Sequence, residues 1–232
     1  LKALSYAISA RELCPGCASE DEIIEGFKSV VGRSRQEVAT TLVKQFGLED
    51  VASKLMPEFG VSTPWQVYVQ VRLKIYETLI ADPEMIKKHA MPYQIELLRK
   101  LHKMGYKIGL ATTARTPQTC RILTALDITD EFNFIATDDD VEHSKPSPEI
   151  YFLVIRELGV EPDECLAFED SPAGVQSALA AGVRCIAVTT DFTRDRVHEA
   201  NLLDPRWIVD DSSKLNDVVM GLLSEVNKEA VL

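Results

Sequence analysis

The stretch FEDSPAGVQSALAAG, residues 168–182, decides how the rest of the chain is interpreted. It overlaps the end of a short apolar run, Cys165–Phe168, that predicts a buried strand. A helix start follows, because Ser171 is a good N-cap and a proline comes directly after it. Between strand and helix lie two carboxylates, Glu169 and Asp170. A strand that delivers carboxylates to its tip before a helix predicts a ligand site at the edge of an α/β sheet.

The carboxylate pair also indicates which ligand to expect. Hard oxygen ligands with few protein partners suit Mg²⁺, which usually keeps several waters in its coordination shell. Glu169 and Asp170 therefore predict a Mg²⁺ site at the end of this strand. The alternative from this stretch alone is an acidic loop with a capping serine.

Composition limits the classes of function. The 232 residues are 46% hydrophobic and carry a formal net charge of −11. An acidic chain without a basic block is a poor ligand for nucleic acid or an anionic membrane surface. No apolar run reaches the about 18–20 residues of a membrane span, and no signal peptide is recognisable. We therefore expect a cytoplasmic globular protein with neither nucleic acid nor membrane as a partner.

Two of the five cysteines lie close together in Cys14-Pro15-Gly16-Cys17. This spacing occurs in redox and half-zinc motifs, but the strand–helix setting of a thioredoxin site and a second Cys/His pair are both missing here. The sequence favours a turn between two helices that holds two thiols. Cys165 and Cys185 lie in predicted buried strands, where free cysteine behaves as a small hydrophobic residue.

The first 88 residues are predicted to be almost wholly helical, without a convincing strand. Ser19 and Glu22 have the spacing of a capping box. Apolar residues at helical spacing predict helices over about 1–13, 19–31 and 38–46, and a longer one that starts at Thr63-Pro64.

The pattern changes near residue 89, where short apolar runs begin to alternate with helices. Strands are predicted at 106–112, 134–136, 165–168, 184–188 and 207–209. Helices are predicted at about 95–105, 117–126, 148–158, 172–181 and 213–227. This alternation indicates βαβ units, a parallel sheet and right-handed crossovers. The predicted class is α/β, with a helical domain over 1–88 and a sheet domain over 89–232.

The residues at the predicted strand ends indicate the chemistry. Thr112-Thr113 end the first strand, Lys145 precedes a helix, and Asp170 follows the third strand. Taken singly, Thr112 fits a strand end and Lys145 fits a surface lysine. Together, a hydroxyl, an ammonium and a carboxylate-held Mg²⁺ are the parts that hold a phosphoryl group and spread its charge. Their order on successive βα units favours a phosphoryl site.

These residues lie in segments that resemble a known family. GLATT (109–113), SKPSPEIY (144–151) and FEDSPAG (168–174) resemble motifs II, III and IV of the haloacid dehalogenase superfamily. The closest similarity is to its β-phosphoglucomutase-like branch, and it covers essentially the whole chain. The resemblance implies a Rossmann-like parallel-sheet core at 89–232 and an α-helical cap domain at 1–88.

The resemblance also implies roles for residues of the core. Thr112 would be the motif II phosphate ligand, with Thr113 beside it at the substrate. Lys145 would be the charge neutraliser of motif III. Glu169 and Asp170 would be the acidic pair at the Mg²⁺ cofactor.

In the implied cap, Gly32-Arg33-Ser34-Arg35 resembles the family's substrate-recognition loop. Arg72 lies near a position where relatives carry a basic residue. Arg33, Arg35 and Arg72 are therefore candidate substrate-binding residues. The alternative is that they are solvated surface arginines.

Motif I of the family, DxDG at the end of its first strand, is absent from residues 1–232. Asp138-Asp139-Asp140 cannot replace it, because this run lies between motifs II and III. In relatives the first motif I aspartate is the nucleophile and the second is the general acid/base. We therefore expect the nucleophile to lie upstream of this chain. The resemblance places the missing strand between the strands that end at Thr112 and Asp170. Without it their edges are unpaired, and the chain must close the gap, borrow a strand or be accompanied by further residues.

The expected function is that of a Mg²⁺-dependent phosphatase or phosphomutase, acting on a small phosphorylated metabolite through an aspartyl-phosphate. The alternative is a catalytically inactive relative that binds phosphate or Mg²⁺, or that serves as an interaction protein. Dehalogenase chemistry fits poorly, because it needs no metal and the acidic pair is typical of a metal site.

Overall fold

A computed structural model describes residues 1–229 and divides the chain into two compact units. The helical unit is Leu1–His89, and the α/β unit begins at Ala90. Within residues 1–229, none of the helices combines the length and the apolar character that a membrane crossing requires.

The helical unit contains six helices and no strand. They are α1 (Lys2–Leu13), α2 (Glu20–Lys28), α3 (Arg35–Gln45), α4 (Glu49–Phe59), α5 (Pro64–Ala81) and α6 (Pro83–Lys88). Helix α5 supplies much of the core, and its buried Tyr68 donates a hydrogen bond of 2.8 Å to the backbone oxygen of Tyr6 in α1.

Local capping fixes where several of these helices begin and end. The predicted capping box of Ser19 and Glu22 is confirmed. Helix α2 ends at Lys28, so its predicted extension to residue 31 is wrong. The N–H of Val30 bonds to the oxygen of Phe27, three residues back, and the chain there forms a tighter turn. The sequence does not predict α4 separately, although Gly60 ends it in the left-handed conformation at φ +62°.

The α/β unit alternates strands and helices, and the predicted α/β class is confirmed. Its elements are α7 (Pro92–Lys103), β1 (Gly109–Ala111), α8 (Thr116–Leu126), β2 (Phe134–Ala136), α9 (Glu149–Leu158), β3 (Leu166–Glu169), α10 (Pro172–Ala180), β4 (Arg184–Val188), α11 (Arg194–Ala200), β5 (Ile208–Val209) and α12 (Leu215–Glu229). The first strand is shorter than predicted, and α11 is not predicted. Cys165 is wrongly predicted to be a buried strand residue, since it is half-exposed and precedes β3.

The strands form two parallel sheets rather than the single sheet predicted. One contains β1 and β2, and the other has the order β3-β4-β5. In the described part of the chain β1 and β3 do not pair with each other. The two sheets are divided between β1 and β3, where the family resemblance implies a central strand that residues 1–232 lack.

A shared hydrophobic core joins the two sheets. On one face, small residues of three strands pack against α9 and α10, and the contributors include Ala136, Ala167, Ala187, Ile150, Val154 and Ala178. On the other face of the larger sheet, α7 and α12 pack against β4 and β5 through Leu97, Ile186, Val188, Val209, Leu215 and Val219. Helix α9 packs on β1 and β2, helix α10 packs on β3 and β4, and the contact between these helices joins the two sheets on this face.

The close contact between β1 and α9 requires a glycine. A Cβ atom at Gly109 would lie 2.3 Å from Cγ1 of Val154 and 3.2 Å from Cδ1 of Leu158. We predict that Gly109→Ala lowers the free energy of unfolding by about 1–3 kcal/mol, because overpacking forces neighbouring side chains to shift. Urea unfolding followed by circular dichroism measures this change.

The matched control is Gly221→Ala in α12, where an added Cβ has no neighbour within 4 Å. It should leave stability unchanged or raise it by about 0.5–1 kcal/mol, since alanine favours the helix over glycine. A Gly109→Ala variant as stable as the unaltered chain would contradict the packing described for β1 and α9.

Candidate functional site

The carboxyl end of β1 presents the first candidate residues. The N–H of Thr112 donates to the oxygen of Ala136 at 3.0 Å, which extends the pairing with β2 by one residue. The Thr112 hydroxyl accepts a hydrogen bond of 3.1 Å from the N–H of Ala114. Thr112 is half-buried, whereas Thr113 is exposed.

Lys145 connects the carboxyl ends of the two sheets. Its Nζ donates to the oxygen of Ala111 at 3.0 Å and forms an ion pair with Oε1 of Glu169. The lysine and glutamate side chains are only 9% and 8% exposed. Because Ala111 precedes Thr112 and Glu169 precedes Asp170, the structure brings all three predicted core segments to one edge.

Tyr151 in α9 is a further member of this cluster that the sequence reasoning missed. Its hydroxyl donates to Oε1 of Glu169, and Nζ of Lys145 lies 5.1 Å from its ring centroid. Burial raises the pKa of Tyr151, and the Glu169 carboxylate adds to the rise. The phenol therefore stays protonated and serves as a hydrogen-bond donor. Its place in the SKPSPEIY segment, on the face of α9 that packs on the core, is the signal that could have found it.

The second oxygen of Glu169 faces the start of α10. A Cβ atom at Gly174 would lie 1.8 Å from Oε2 of Glu169, so no larger residue fits there. The predicted cap is confirmed, since the hydroxyl of Ser171 accepts a hydrogen bond of 3.2 Å from the N–H of Gly174. The strand–turn–helix segment thus packs its own glutamate against its helix.

The two predicted metal ligands differ in their surroundings. Asp170 is exposed, and no hydrogen bond or ion pair to it occurs among residues 1–229. Glu169 already binds Lys145 and Tyr151. No group of three or more His, Cys, Asp or Glu side chains in the described chain is arranged to hold a metal ion. A single open carboxylate fits Mg²⁺, which keeps several waters and binds substrate oxygens.

The acidic run 138–140, after β2, stabilises its loop through hydrogen bonds. Oδ2 of Asp140 accepts hydrogen bonds of 2.8 Å from the N–H and the hydroxyl of Thr137. Oδ2 of Asp139 accepts one of 2.9 Å from the N–H of Thr116 at the start of α8. These bonds fix the loop between β2 and α9 against α8.

The arginines of the helical unit fall into two groups. Arg33 and Arg35 are exposed. Arg72 is only 6% exposed, so the surface-arginine alternative is wrong for this residue. Its Nε donates to the hydroxyl of Ser5 at 2.9 Å, and its guanidinium lies 5.1 Å from the ring centroid of Tyr6. Burial lowers the pKa of Arg72, and no carboxylate pairs with it within the described part of the chain.

Comparison with known proteins finds a family match over most of the chain. The sequence pattern of haloacid dehalogenase-like hydrolases matches residues 19–188. The Bacillus subtilis (strain 168) protein YhcW is 40% identical over 109 residues, which are 47% of this chain and 50% of that protein. The validoxylamine A 7'-phosphate phosphatase of Streptomyces hygroscopicus subsp. limoneus is 33% identical over 132 residues, 55% of this chain and 62% of that protein. This chain thus spans only about half to two thirds of these two relatives.

A longer match is to the phosphoglycolate phosphatase of Salmonella paratyphi A, 30% identical over 198 residues that cover 84% of this chain and 73% of that protein. Among solved structures, β-phosphoglucomutase from Clostridium difficile matches with a TM-score of 0.63 and 21% identity, covering 99% of this chain and 92% of the other. At that identity the likeness shows the fold.

The hydrogen bond from Tyr151 to Glu169 should contribute to the stability of the fold. We predict that Tyr151→Phe lowers the free energy of unfolding by about 1.5–3 kcal/mol, because a buried carboxylate loses a hydrogen bond. In a Glu169→Gln background the same change should cost less, since the acceptor is then uncharged. Urea unfolding of the four proteins of this cycle measures the coupling.

Tyr93→Phe is the control, because Tyr93 is 47% exposed and should tolerate the change. Equal effects of the two tyrosine substitutions, or additive effects of Tyr151→Phe and Glu169→Gln, would show that Tyr151 does not stabilise the carboxylate.

Proposed function

The chain belongs to the haloacid dehalogenase-like hydrolase family and shares the fold of a β-phosphoglucomutase, and from this premise we propose that it is part of a phosphatase or phosphomutase acting on a small phosphorylated metabolite. Two relatives support this class of substrate, since their names give validoxylamine A 7'-phosphate and phosphoglycolate as the compounds from which they remove phosphate.

The observation that carries the proposal is the position of Lys145. Its buried ammonium bonds to the oxygen of Ala111 and to Glu169, which directly precede Thr112 and Asp170 at the carboxyl ends of β1 and β3. A phosphoryl group bound there would meet a fixed positive charge. The Thr112 hydroxyl accepts from Ala114 N–H, which leaves its own proton to donate to a phosphoryl oxygen. Pre-positioned donors and charges of this kind stabilise the charge that develops in phosphoryl transfer.

In this proposal Glu169 and Asp170 have different roles. Asp170 would hold Mg²⁺ through its open carboxylate, while Glu169 would position Lys145 and not act as a ligand. When bound, Mg²⁺ would polarise a phosphoryl oxygen and share its negative charge. Thr113 would border the substrate beside Thr112, and Arg33, Arg35 and Arg72 remain candidate anion-binding residues of the helical unit.

The nucleophile in this proposal is an aspartate on a strand outside residues 1–232 that pairs with both β1 and β3. Each of these strands has one neighbour, so each has one edge of backbone groups without a strand partner in the described chain. Leaving such groups unsatisfied in a protein interior costs about 1–3 kcal/mol each. A strand between them would satisfy both edges and bring its carboxylate to the tip where Lys145 lies. The carboxylate would take the phosphoryl group as an aspartyl-phosphate, which water or a second hydroxyl then accepts.

A second candidate function is a catalytically inactive phosphate- or Mg²⁺-binding protein, or an interaction protein. One observation favours it. Of the two carboxylates beside Lys145, Glu169 is engaged by Lys145 and Tyr151, and Asp170 is the proposed metal ligand. This site therefore offers no nucleophile of its own within residues 1–229.

We predict that residues 1–232 alone release phosphate from an aryl phosphate no faster than background. Phosphate monoester hydrolysis needs up to about 10²¹-fold acceleration, and charge neutralisation by Lys145 with Mg²⁺ supplies only part of it. An N-terminal extension with a strand ending in DxDG should restore Mg²⁺-dependent turnover. Asp170→Asn in the extended protein should then abolish it, as measured by phosphate release.

The matched control is Glu199→Gln in the extended protein, which changes an exposed carboxylate of α11 and should leave turnover unchanged. Substantial turnover by residues 1–232 would contradict the proposal, because it requires a nucleophile within them. A folded but inactive extended protein would favour the inactive binding protein instead.

A further inference from the structure

The Cys14-Pro15-Gly16-Cys17 segment forms a tight turn between α1 and α2. The N–H of Cys17 donates to the oxygen of Cys14 at 3.2 Å, and Gly16 has φ +87°. Proline followed by a glycine of positive φ is the pattern of a type II β-turn. Such a turn brings its first and fourth Cα atoms within about 7 Å. Disulfides span Cα separations of about 4.4–6.8 Å, so the backbone already has the form that a Cys14–Cys17 disulfide needs.

The two thiols are free and half-buried. Burial raises the pKa of the Cys17 thiol, and its hydrogen bond with the Cys14 side chain adds to the rise. The sulfur of Cys17 also lies 3.9 Å from the oxygen of Ala10 in α1, an acceptor for its proton. The Cys17 thiol is therefore engaged as a hydrogen-bond donor to α1, and we assign the first attack to the Cys14 sulfur.

The other cysteines lack this arrangement. Cys120 is exposed and has no cysteine near it in the sequence. Cys165 precedes β3 and is out of register with Cys185 of β4, because Cys185 is paired with Ala167. Among the five cysteines, Cys14 and Cys17 are the two that lie on one tight turn.

We propose that Cys14 and Cys17 form a thiol–disulfide exchange site whose co-substrate is a small disulfide of the glutathione type. The Cys14 thiolate attacks one sulfur of the small disulfide, forms a mixed disulfide and releases one thiolate. That thiolate takes the proton of Cys17, and the Cys17 sulfur then attacks the sulfur of Cys14 and releases the second small thiol. Two protein thiols are oxidised, and one small disulfide is reduced to two thiols.

This site is separate from the phosphoryl chemistry proposed for the α/β unit. It differs from a thioredoxin-type centre because its first cysteine ends helix α1 instead of lying before a helix on a strand–helix turn. The internal disulfide would close a ring across the turn and fix the end of α1 relative to the capping box that starts α2.

The test uses the whole chain treated with oxidised glutathione, alkylated, digested with trypsin and examined by mass spectrometry. Peptide 12–28 carries both cysteines of the turn, and peptide 116–121 carries Cys120. The proposal predicts that peptide 12–28 loses two hydrogen atoms and retains no glutathione. The exposed, solitary Cys120 should instead retain one glutathione.

Two variants separate the steps. In Cys17→Ser the mixed disulfide at Cys14 cannot resolve, so peptide 12–28 should retain one glutathione. In Cys14→Ser the remaining thiol should react more slowly than Cys14 does in Cys17→Ser. Circular dichroism establishes that both variants keep their helices.

Three results would overturn the proposal. They are glutathione retained on peptide 12–28 of the unaltered chain, a peptide 12–28 that stays reduced while Cys120 is modified, and disulfides from Cys14 or Cys17 to a second molecule in place of the internal one.

Discussion

The buried ion pair of Lys145 and Glu169 is the interaction on which the α/β unit depends. Two buried charges cost free energy unless their remaining hydrogen-bonding capacity is also satisfied. Here the oxygen of Ala111 and the hydroxyl of Tyr151 supply those bonds. The pair thereby ties together the ends of two strands that do not pair with each other and the helix between them. Removing either partner leaves an uncompensated charge where the two sheets meet.

The ion pair of Lys145 and Glu169 also explains why the carboxylates of Glu169 and Asp170 have different roles. Glu169 points inward against Gly174, where no Cβ atom fits, and its charge is used to hold the lysine. Asp170 directly follows the last residue of β3 and is exposed. The end of β3 therefore places a buried, paired carboxylate and an exposed one at neighbouring positions. A phosphoryl group at this edge would meet the ammonium of Lys145 without displacing Glu169.

The bounds of several strands follow from local sequence patterns, whereas the partners of the buried polar side chains depend on tertiary contacts. Strands β2 and β4 have the predicted bounds because their apolar runs are short and clearly delimited. Strand β1 is shorter than its apolar run, because the side chain of Asn133 bonds to the N–H of Ile108 and ends the regular pairing there. The partnership of Tyr151 with Glu169 joins residues 18 positions apart, so no spacing rule reveals it. The burial of Arg72 similarly depends on rings brought by folding.

We infer that Lys145 forms one anion site with the ends of β1 and β3. Titration of the ¹⁵N-labelled chain with inorganic phosphate, in the presence of Mg²⁺, tests it most directly by NMR. We expect amide resonances of residues 112–114 and 170–174 to shift together, with one dissociation constant, and Lys145→Met to abolish both shifts. Shifts confined to the arginine loop around Arg33 and Arg35, unchanged by Lys145→Met, would contradict it.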